Sequence, residues 1–71
     1  MNIKDAFWLY NTTLWKIQRY GHADVYWYTE TNKYIFKSSA SERWIGRKKF
    51  IDNRKQKEFE SEEKAVKWLL K

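Results

Sequence analysis

The fold is decided by residues 14–37, which read LWKIQRYGHADVYWYTETNKYIFK. Aromatic and β-branched residues alternate here with polar ones, in the two-residue period of a half-buried strand. Typical turn residues, among them Gly21 and Asn32, interrupt the alternation twice. The strands predicted between these interruptions are residues 14–20, 25–29 and 33–37. The stretch therefore predicts three antiparallel strands joined as a meander.

Strand parity predicts which of these side chains face the protein core. Those expected to face the core are Trp15, Ile17, Val25, Trp27, Tyr34 and Phe36. Those expected to face solvent are Lys16, Gln18, Tyr20, Asp24, Tyr26, Tyr28, Glu30, Lys33, Ile35 and Lys37. Tyrosine beside lysine can form a stacking surface for nucleic-acid bases, although exposed tyrosines also serve simply to strengthen cross-strand pairing. The secondary candidate binding face consists of Lys16, Tyr26, Tyr28 and Lys37.

A short helix is predicted at the start of the chain. Apolar residues recur there at helical spacing, at Ile3, Ala6, Phe7 and Tyr10. Asn2 is a suitable N-cap, and the helix is expected to end near Asn11. Residues 7–10 also fit a strand, so both interpretations stay open.

A second helix is predicted from Glu62 onward. Ser61 is a fitting N-cap, and the acidic first turn and basic last turn complement the helix dipole. An apolar stripe is formed by Ala65, Val66, Leu69 and Leu70, with Trp68 at its edge. Because about ten isolated residues would barely be helical in water, this stripe must cover a face of the sheet.

Further strands are predicted between residues 43 and 59. Gly46 interrupts the alternation in residues 43–51 and marks either a bulge or a close backbone approach. Asp52 and Asn53 are good hairpin residues, leading into a strand at 55–59. The sequence thus predicts one α+β domain over residues 1–71: an antiparallel sheet of three to five strands, the C-terminal helix packed on one face, and a short N-terminal helix.

The positive charge of the chain is concentrated in one segment. The net charge is +6, and residues 43–57 carry seven basic side chains against Asp52 alone. A basic segment beside aromatic rings is typical of nucleic-acid binding, because each neutralised phosphate releases counterions. The alternative is a solvated basic loop.

The candidate nucleic-acid-binding residues are Arg43, Trp44, Arg47, Lys48, Lys49, Arg54, Lys55 and Lys57. Basic side chains on a hairpin can follow a phosphate backbone or enter the major groove, and Trp44 could stack on an unpaired base. The alternative for Trp44 and Phe50 is packing in the core, since a small sheet needs its large side chains.

The composition argues against catalysis and against cofactors. The chain has no Cys and a single imidazole, His22, so it lacks a thiolate metal site and an obvious nucleophile–base pair. Asp24 and Glu30 would lie about 20 Å apart along a strand, too far for paired acid–base work. Its two glycines are isolated, so there is no glycine-rich phosphate loop. We expect a non-enzymatic protein without metal or cofactor.

The sequence also predicts a location inside the cell, cytoplasmic or nucleoid-associated. No run of about eighteen apolar residues is present, which argues against a membrane-spanning helix. The apolar patch near the N-terminus includes Asp5 and is not followed by a small-residue cleavage site, which argues against a signal peptide.

The segment Arg43-Trp44-Ile45-Gly46-Arg47, followed by a basic hairpin and by residues 59–69, resembles the end of WGR domains. Residues 14–18 also look like the first strand of that family. The resemblance implies DNA-end binding, with Trp44 and Arg47 near the terminal sugar-phosphate and Gly46 permitting close approach. Ile45 interrupts the motif, and one extra residue in a strand moves all later residues of that strand to the opposite face unless a bulge absorbs it.

The same ending is similar to the arm-binding domains of tyrosine integrases, which place a three-stranded sheet in the major groove. Both resemblances imply DNA, so DNA is favoured over RNA as the partner. The competing hypothesis is a small protein-interaction module, an inhibitor or adaptor, that docks an aromatic and basic face on an acidic protein.

Overall fold

The structure, a computed structural model, describes residues 1–17, 24–48 and 56–71. Its elements are α1 (Ile3–Leu9), β1 (Leu14–Ile17), β2 (Val25–Tyr28), β3 (Lys33–Lys37), β4 (Trp44–Lys48), β5 (Lys57–Phe59) and α2 (Glu62–Leu69). The strands form an antiparallel sheet in the order β1-β2-β3-β4-β5. The predicted α+β class and the meander are confirmed, with five strands in the described residues. The predicted turns at Gly21–His22 and at Asp52–Asn53 lie outside the described residues.

Helix α1 begins where the sequence predicts. The Asn2 side chain accepts a hydrogen bond from the backbone N–H of Asp5 at 2.8 Å, which satisfies one of the free donors of the first turn. Ile3 and Ala6 are buried in the core. The helix ends at Leu9, slightly before the predicted end. Residues 7–9 are therefore helical rather than extended.

Helix α2 supplies the cover for the sheet. Ser61 caps it as predicted, accepting a hydrogen bond from the backbone N–H of Lys64 at 3.3 Å. Ala65, Val66 and Leu69 are completely buried. Full burial of a Val or Leu side chain stabilises a fold by roughly 1.5–3 kcal/mol, so the predicted stripe is a main source of stability.

Gly46 lies directly beneath Trp68 of α2. A Cβ atom at this position would come 2.6 Å from Trp68 Cζ3 and 2.9 Å from Phe59 Cε2. The strand pairing continues through β4 without an extra residue: Gly46 pairs with Ile35 of β3 on one side and with Lys57 of β5 on the other. The close-approach interpretation is therefore correct and the bulge interpretation is wrong. What approaches the glycine is the protein's own indole.

The helices cover the face of the sheet opposite to the one predicted. The register places Leu14 opposite Tyr28, and Ile35 opposite both Tyr26 and Gly46, so these residues share a face. The strand members of the core cluster are Leu14, Tyr28 and Ile35. The prediction that Trp15, Ile17, Val25, Trp27, Tyr34 and Phe36 face the core beneath the helices is therefore wrong, although Val25 is buried on the other face. Both faces carry large apolar side chains, so alternation separates two faces without indicating which one the helices cover.

The prediction that Tyr26 and Tyr28 are exposed is also wrong. Tyr28 is 7% exposed, and its ring packs edge-on against Tyr10 at a centroid distance of 5.5 Å. Tyr26 is half-buried, and the centroid of its ring lies 5.6 Å from that of Phe7 and 6.2 Å from that of Trp44. Tyrosine buries a large apolar ring while its hydroxyl stays near the surface, which alternation with polar residues does not reveal.

Candidate nucleic-acid interface

The described part of the predicted basic hairpin does not present one continuous face. Lys49, Arg54 and Lys55 lie outside the described residues. Arg43 is exposed immediately before β4. Alternation along β4 directs Trp44 and Lys48 to the helix-covered side and Arg47 to the opposite side. Lys57, paired with Gly46, lies on the helix-covered side and is exposed.

Trp44 is part of the packing beneath the helices. Its ring lies 6.2 Å from that of Tyr26, it pairs across the sheet with Phe59, and it packs against the core cluster. Of the two interpretations of Trp44, the structure shows core packing. Trp44 and Arg47 lie on opposite faces, because no bulge absorbs Ile45. The arrangement implied by the WGR resemblance, with both side chains at one contact, is therefore not formed.

Arg47 is held in one orientation on the sheet face opposite the helices. Its Nε and Nη2 atoms donate hydrogen bonds to Gln56 Oε1 at 3.0 and 2.8 Å. Its guanidinium carbon lies 5.2 Å from the centroid of the Phe36 ring, a cation–π distance. These contacts restrict the side chain while leaving it partly accessible.

A row of aromatic residues leads to Arg47. The register pairs Trp15 with Trp27, Trp27 with Tyr34, and Tyr34 with Arg47, so these four residues stand side by side on four adjacent strands. We call them the aromatic row, and we call the side of the sheet that carries them the open face. Neighbouring strands lie about 4.8 Å apart, which sets the spacing along the row.

The open face lies outside the core cluster that the helices complete. A second row runs parallel to the aromatic row and consists of Ile17, Val25, Phe36, Ile45 and Glu58. Val25 and Ile45 are buried at its centre, whereas Trp15 and Ile17 on the edge strand β1 are 53% and 41% exposed. The rings of Tyr34 and Phe36 lie nearly parallel, 19° apart, at a centroid distance of 6.4 Å.

Four lysines gather on the other side of the molecule, near the end of α2. Lys33 donates a hydrogen bond to the backbone carbonyl of Trp68 at 3.1 Å, and its Nζ lies 4.7 Å from the centroid of the Trp68 ring. Burial lowers the pKa of Lys33, and the positive charges of Lys48, Lys57 and Lys71 lower it further. We call these four residues the lysine cluster.

Lys33 is not among the candidates that the sequence indicates, because it lies outside the basic segment 43–57. Lys33 and Lys48 are paired across the sheet, although 15 residues separate them in the chain. Both lie on the helix-covered side, and this shared position follows from the strand register, which the sequence alone does not give. The sequence does indicate that Lys33, Ile35 and Lys37 share one face of β3, because they occupy alternate positions of that strand.

The secondary candidate face is not assembled as predicted. Lys16 pairs with Asp24 at 3.0 Å, and this hydrogen bond and the carboxylate charge raise the pKa of Lys16. Lys37 is exposed. Because Tyr28 is buried and Tyr26 packs beneath α1, no exposed tyrosine surface accompanies these two lysines among the described residues.

The described acidic residues that form ion pairs do so away from the basic segment. The pairs join the N-terminal amine to Glu63 at 3.2 Å, Lys16 to Asp24 at 3.0 Å, and Lys64 to Glu60 at 3.8 Å. Within residues 1–17, 24–48 and 56–71, no ion pair engages Arg43, Arg47, Lys48 or Lys57. The described part of the segment therefore keeps its positive charge unneutralised.

In the described ranges, no cluster of three or more His, Cys, Asp or Glu side chains is placed to hold a metal ion. The helices of the same ranges are too short or too polar to cross a membrane. No protein-family model, curated protein or solved structure matches the chain. The similarities to WGR domains and to integrase arm-binding domains therefore stay predictions.

Proposed function

We propose that the protein is a non-enzymatic nucleic-acid-binding domain, with DNA favoured over RNA. The observation that carries the proposal is the net positive charge of residues 43–57, which hold seven basic side chains and one acidic one. Arg43, Lys48 and Lys57 are exposed, and the described acids form their ion pairs elsewhere. A polyanion is the ligand that such a field attracts most strongly.

The lysine cluster supports the same proposal. Burial, and after it the positive charges of Lys48, Lys57 and Lys71, lowers the pKa of Lys33, so these like charges lie close enough to act on one another. A phosphate close to Lys48 and Lys57 would offset that repulsion and release condensed counterions from the nucleic acid. The arrangement thus favours a ligand with closely spaced negative charges over a neutral one.

A salt titration with charge-removal variants tests the proposal. Binding of labelled duplex DNA, followed by fluorescence anisotropy, should give a slope of log K against log salt near −4 to −5 if about four to six phosphates are contacted. The double variant Lys48→Gln and Lys57→Gln should make the slope less steep by about two units. The matched control removes the same charge from the exposed helix positions Lys4 and Lys64, and should leave the slope unchanged.

Two results would contradict the proposal. The first is a folded protein that binds no duplex DNA, single-stranded DNA or RNA at low salt. The second is binding whose affinity does not change with salt, because phosphate neutralisation cannot be salt-independent. Either result would leave the protein-interaction module as the hypothesis to pursue.

A further inference from the structure

We infer that the open face binds unpaired nucleotides by stacking their bases on the aromatic row, so that single-stranded nucleic acid is the ligand of this surface. This inference rests on the proposed nucleic-acid function and names the class of ligand. It assigns separate roles to the two sides of the sheet. The open face would contact bases, and the lysine cluster on the far side would add electrostatic attraction.

The aromatic row carries one exposed ring beside two half-buried ones. Three rings, those of Trp15, Trp27 and Tyr34, stand on adjacent strands about 4.8 Å apart. Trp15 is 53% exposed and lies outside the core cluster, so about half of its surface stays in contact with solvent. Every base has a π-face, and stacking on an aromatic side chain therefore recognises unpaired bases without requiring a sequence.

Arg47 adds charge complementarity at the end of the row. Gln56 and Phe36 hold its planar guanidinium beside Tyr34, where it can stack on a base or contact a phosphate. Among the residues that the structure describes, the strands place one acidic side chain on the open face, that of Glu58. It lies at the edge strand β5 opposite Ile45, in the second row. Arg47, rather than Glu58, is thus the charged residue that pairs directly with the aromatic row. This favours a ligand that combines flat rings with negative charge, as a nucleic acid does.

The ligand must be unpaired for this surface to contact bases. In a duplex the π-faces are covered by neighbouring base pairs, and a broad sheet cannot pass between them. A single strand can turn its bases outward onto aromatic rings while its phosphates remain near basic groups. The open face therefore predicts a preference for single strands over duplex of the same length.

Three oligonucleotide probes separate base contacts from phosphate contacts. They are a labelled single strand of about 12 deoxythymidines, a blunt hairpin duplex, and an abasic strand of the same length that keeps the phosphates. The protein should bind the deoxythymidine strand more tightly than the other two at equal salt. Stacking should also quench tryptophan fluorescence with the deoxythymidine strand and not with the abasic one.

A matched pair of tryptophan variants locates the contact. Trp15→Ala should weaken binding to the deoxythymidine strand by about 5- to 100-fold, and Trp15→Phe should restore most of the loss. Trp8→Ala is the control, because Trp8 is 84% exposed on α1 and stands outside the open face. It should leave binding unchanged. Thermal melting of each variant verifies that it is folded.

The possible failures are distinguishable. Equal binding of the deoxythymidine and abasic strands, tighter binding of the duplex, or no effect of Trp15→Ala in the folded variant would each overturn the stacking inference. If affinity still falls with salt, the proposed nucleic-acid function survives. Failure to bind any of the three probes would overturn the proposed function and the inference together.

Discussion

Gly46 shows how one missing side chain allows a helix to sit on this sheet. Its Cα stands beneath the Trp68 indole and beside Phe59, and the centroids of these two rings are 5.6 Å apart. The sequence predicts a special role for this glycine, and the structure supplies the reason. The approaching group could not be identified from the sequence, because Trp68 lies more than 20 residues further along the chain.

Gly46→Ala should destabilise the fold by about 1–3 kcal/mol, because the new methyl group would overlap the Trp68 and Phe59 rings. At an uncrowded site Gly→Ala would instead stabilise by about 0.4–1 kcal/mol through the unfolded chain. Urea denaturation measures the difference. Lys48→Ala, at an exposed position of the same strand, should change stability by less than about 0.5 kcal/mol. A neutral or stabilising Gly46→Ala would show that the rings do not pack as described.

Glu42 adopts a left-handed backbone conformation, with φ of 58°. This conformation costs an ordinary L-residue roughly 1–2 kcal/mol and is tolerated much better by asparagine. Glu42→Asn should therefore be more stable than Glu42→Gln by up to about 1 kcal/mol, although both variants remove the same charge. Chemical denaturation of the two proteins checks this prediction, and a glutamine variant at least as stable would contradict it.

Tyr26 should make the stability of the protein fall at alkaline pH. Burial, followed by the charge of Asp24, raises the pKa of Tyr26 above its ordinary value of 10.0. The unfolded state therefore loses this proton at lower pH than the folded state, so the stabilisation is fully present below pH 10 and declines as pH rises through the folded pKa. Tyr26→Phe removes this component. The stability of the wild type should fall relative to that of Tyr26→Phe between about pH 9 and 11 in denaturant titrations, and parallel curves would contradict the assignment.

Helix α2 contributes three completely buried side chains, Ala65, Val66 and Leu69, to the core. Leu69 is completely buried, and Leu69→Ala should cost about 2–5 kcal/mol. Leu9→Ala makes the same chemical change at an exposed position of α1 and should cost less than about 0.5 kcal/mol. Equal losses in a thermal or urea melt would mean that α2 does not cover the sheet as described.

The helices and strands themselves could be predicted from local signals. Asn2 and Ser61 act as the caps that the sequence indicates, and the strands begin and end within a few residues of the alternating runs. The choice of covered face could not be predicted. Ile35 and Phe36 are adjacent apolar residues that point to opposite faces, and only tertiary packing decides that Ile35 lies under the helices.

At the scale of the molecule, the described basic residues divide between the two faces of the sheet. The basic segment predicted as one hairpin surface contributes Arg47 to the open face and Lys48 and Lys57 to the lysine cluster. Alternation in a strand guarantees such a division. The sequence could therefore predict the charge and the residue types of the candidate interface, while the grouping of those residues depended on the register of five strands.

Nucleic-acid binding is tested most simply by the affinity of the wild-type protein for DNA at two salt concentrations. We expect binding to weaken about 250- to 1,000-fold when monovalent salt rises fourfold, from roughly 50 to 200 mM, if the slope for duplex DNA lies near −4 to −5. Such a loss would establish phosphate contact as the basis of binding. Affinity that is absent at low salt, or equal at both concentrations, would contradict the proposal that this protein is a nucleic-acid-binding domain.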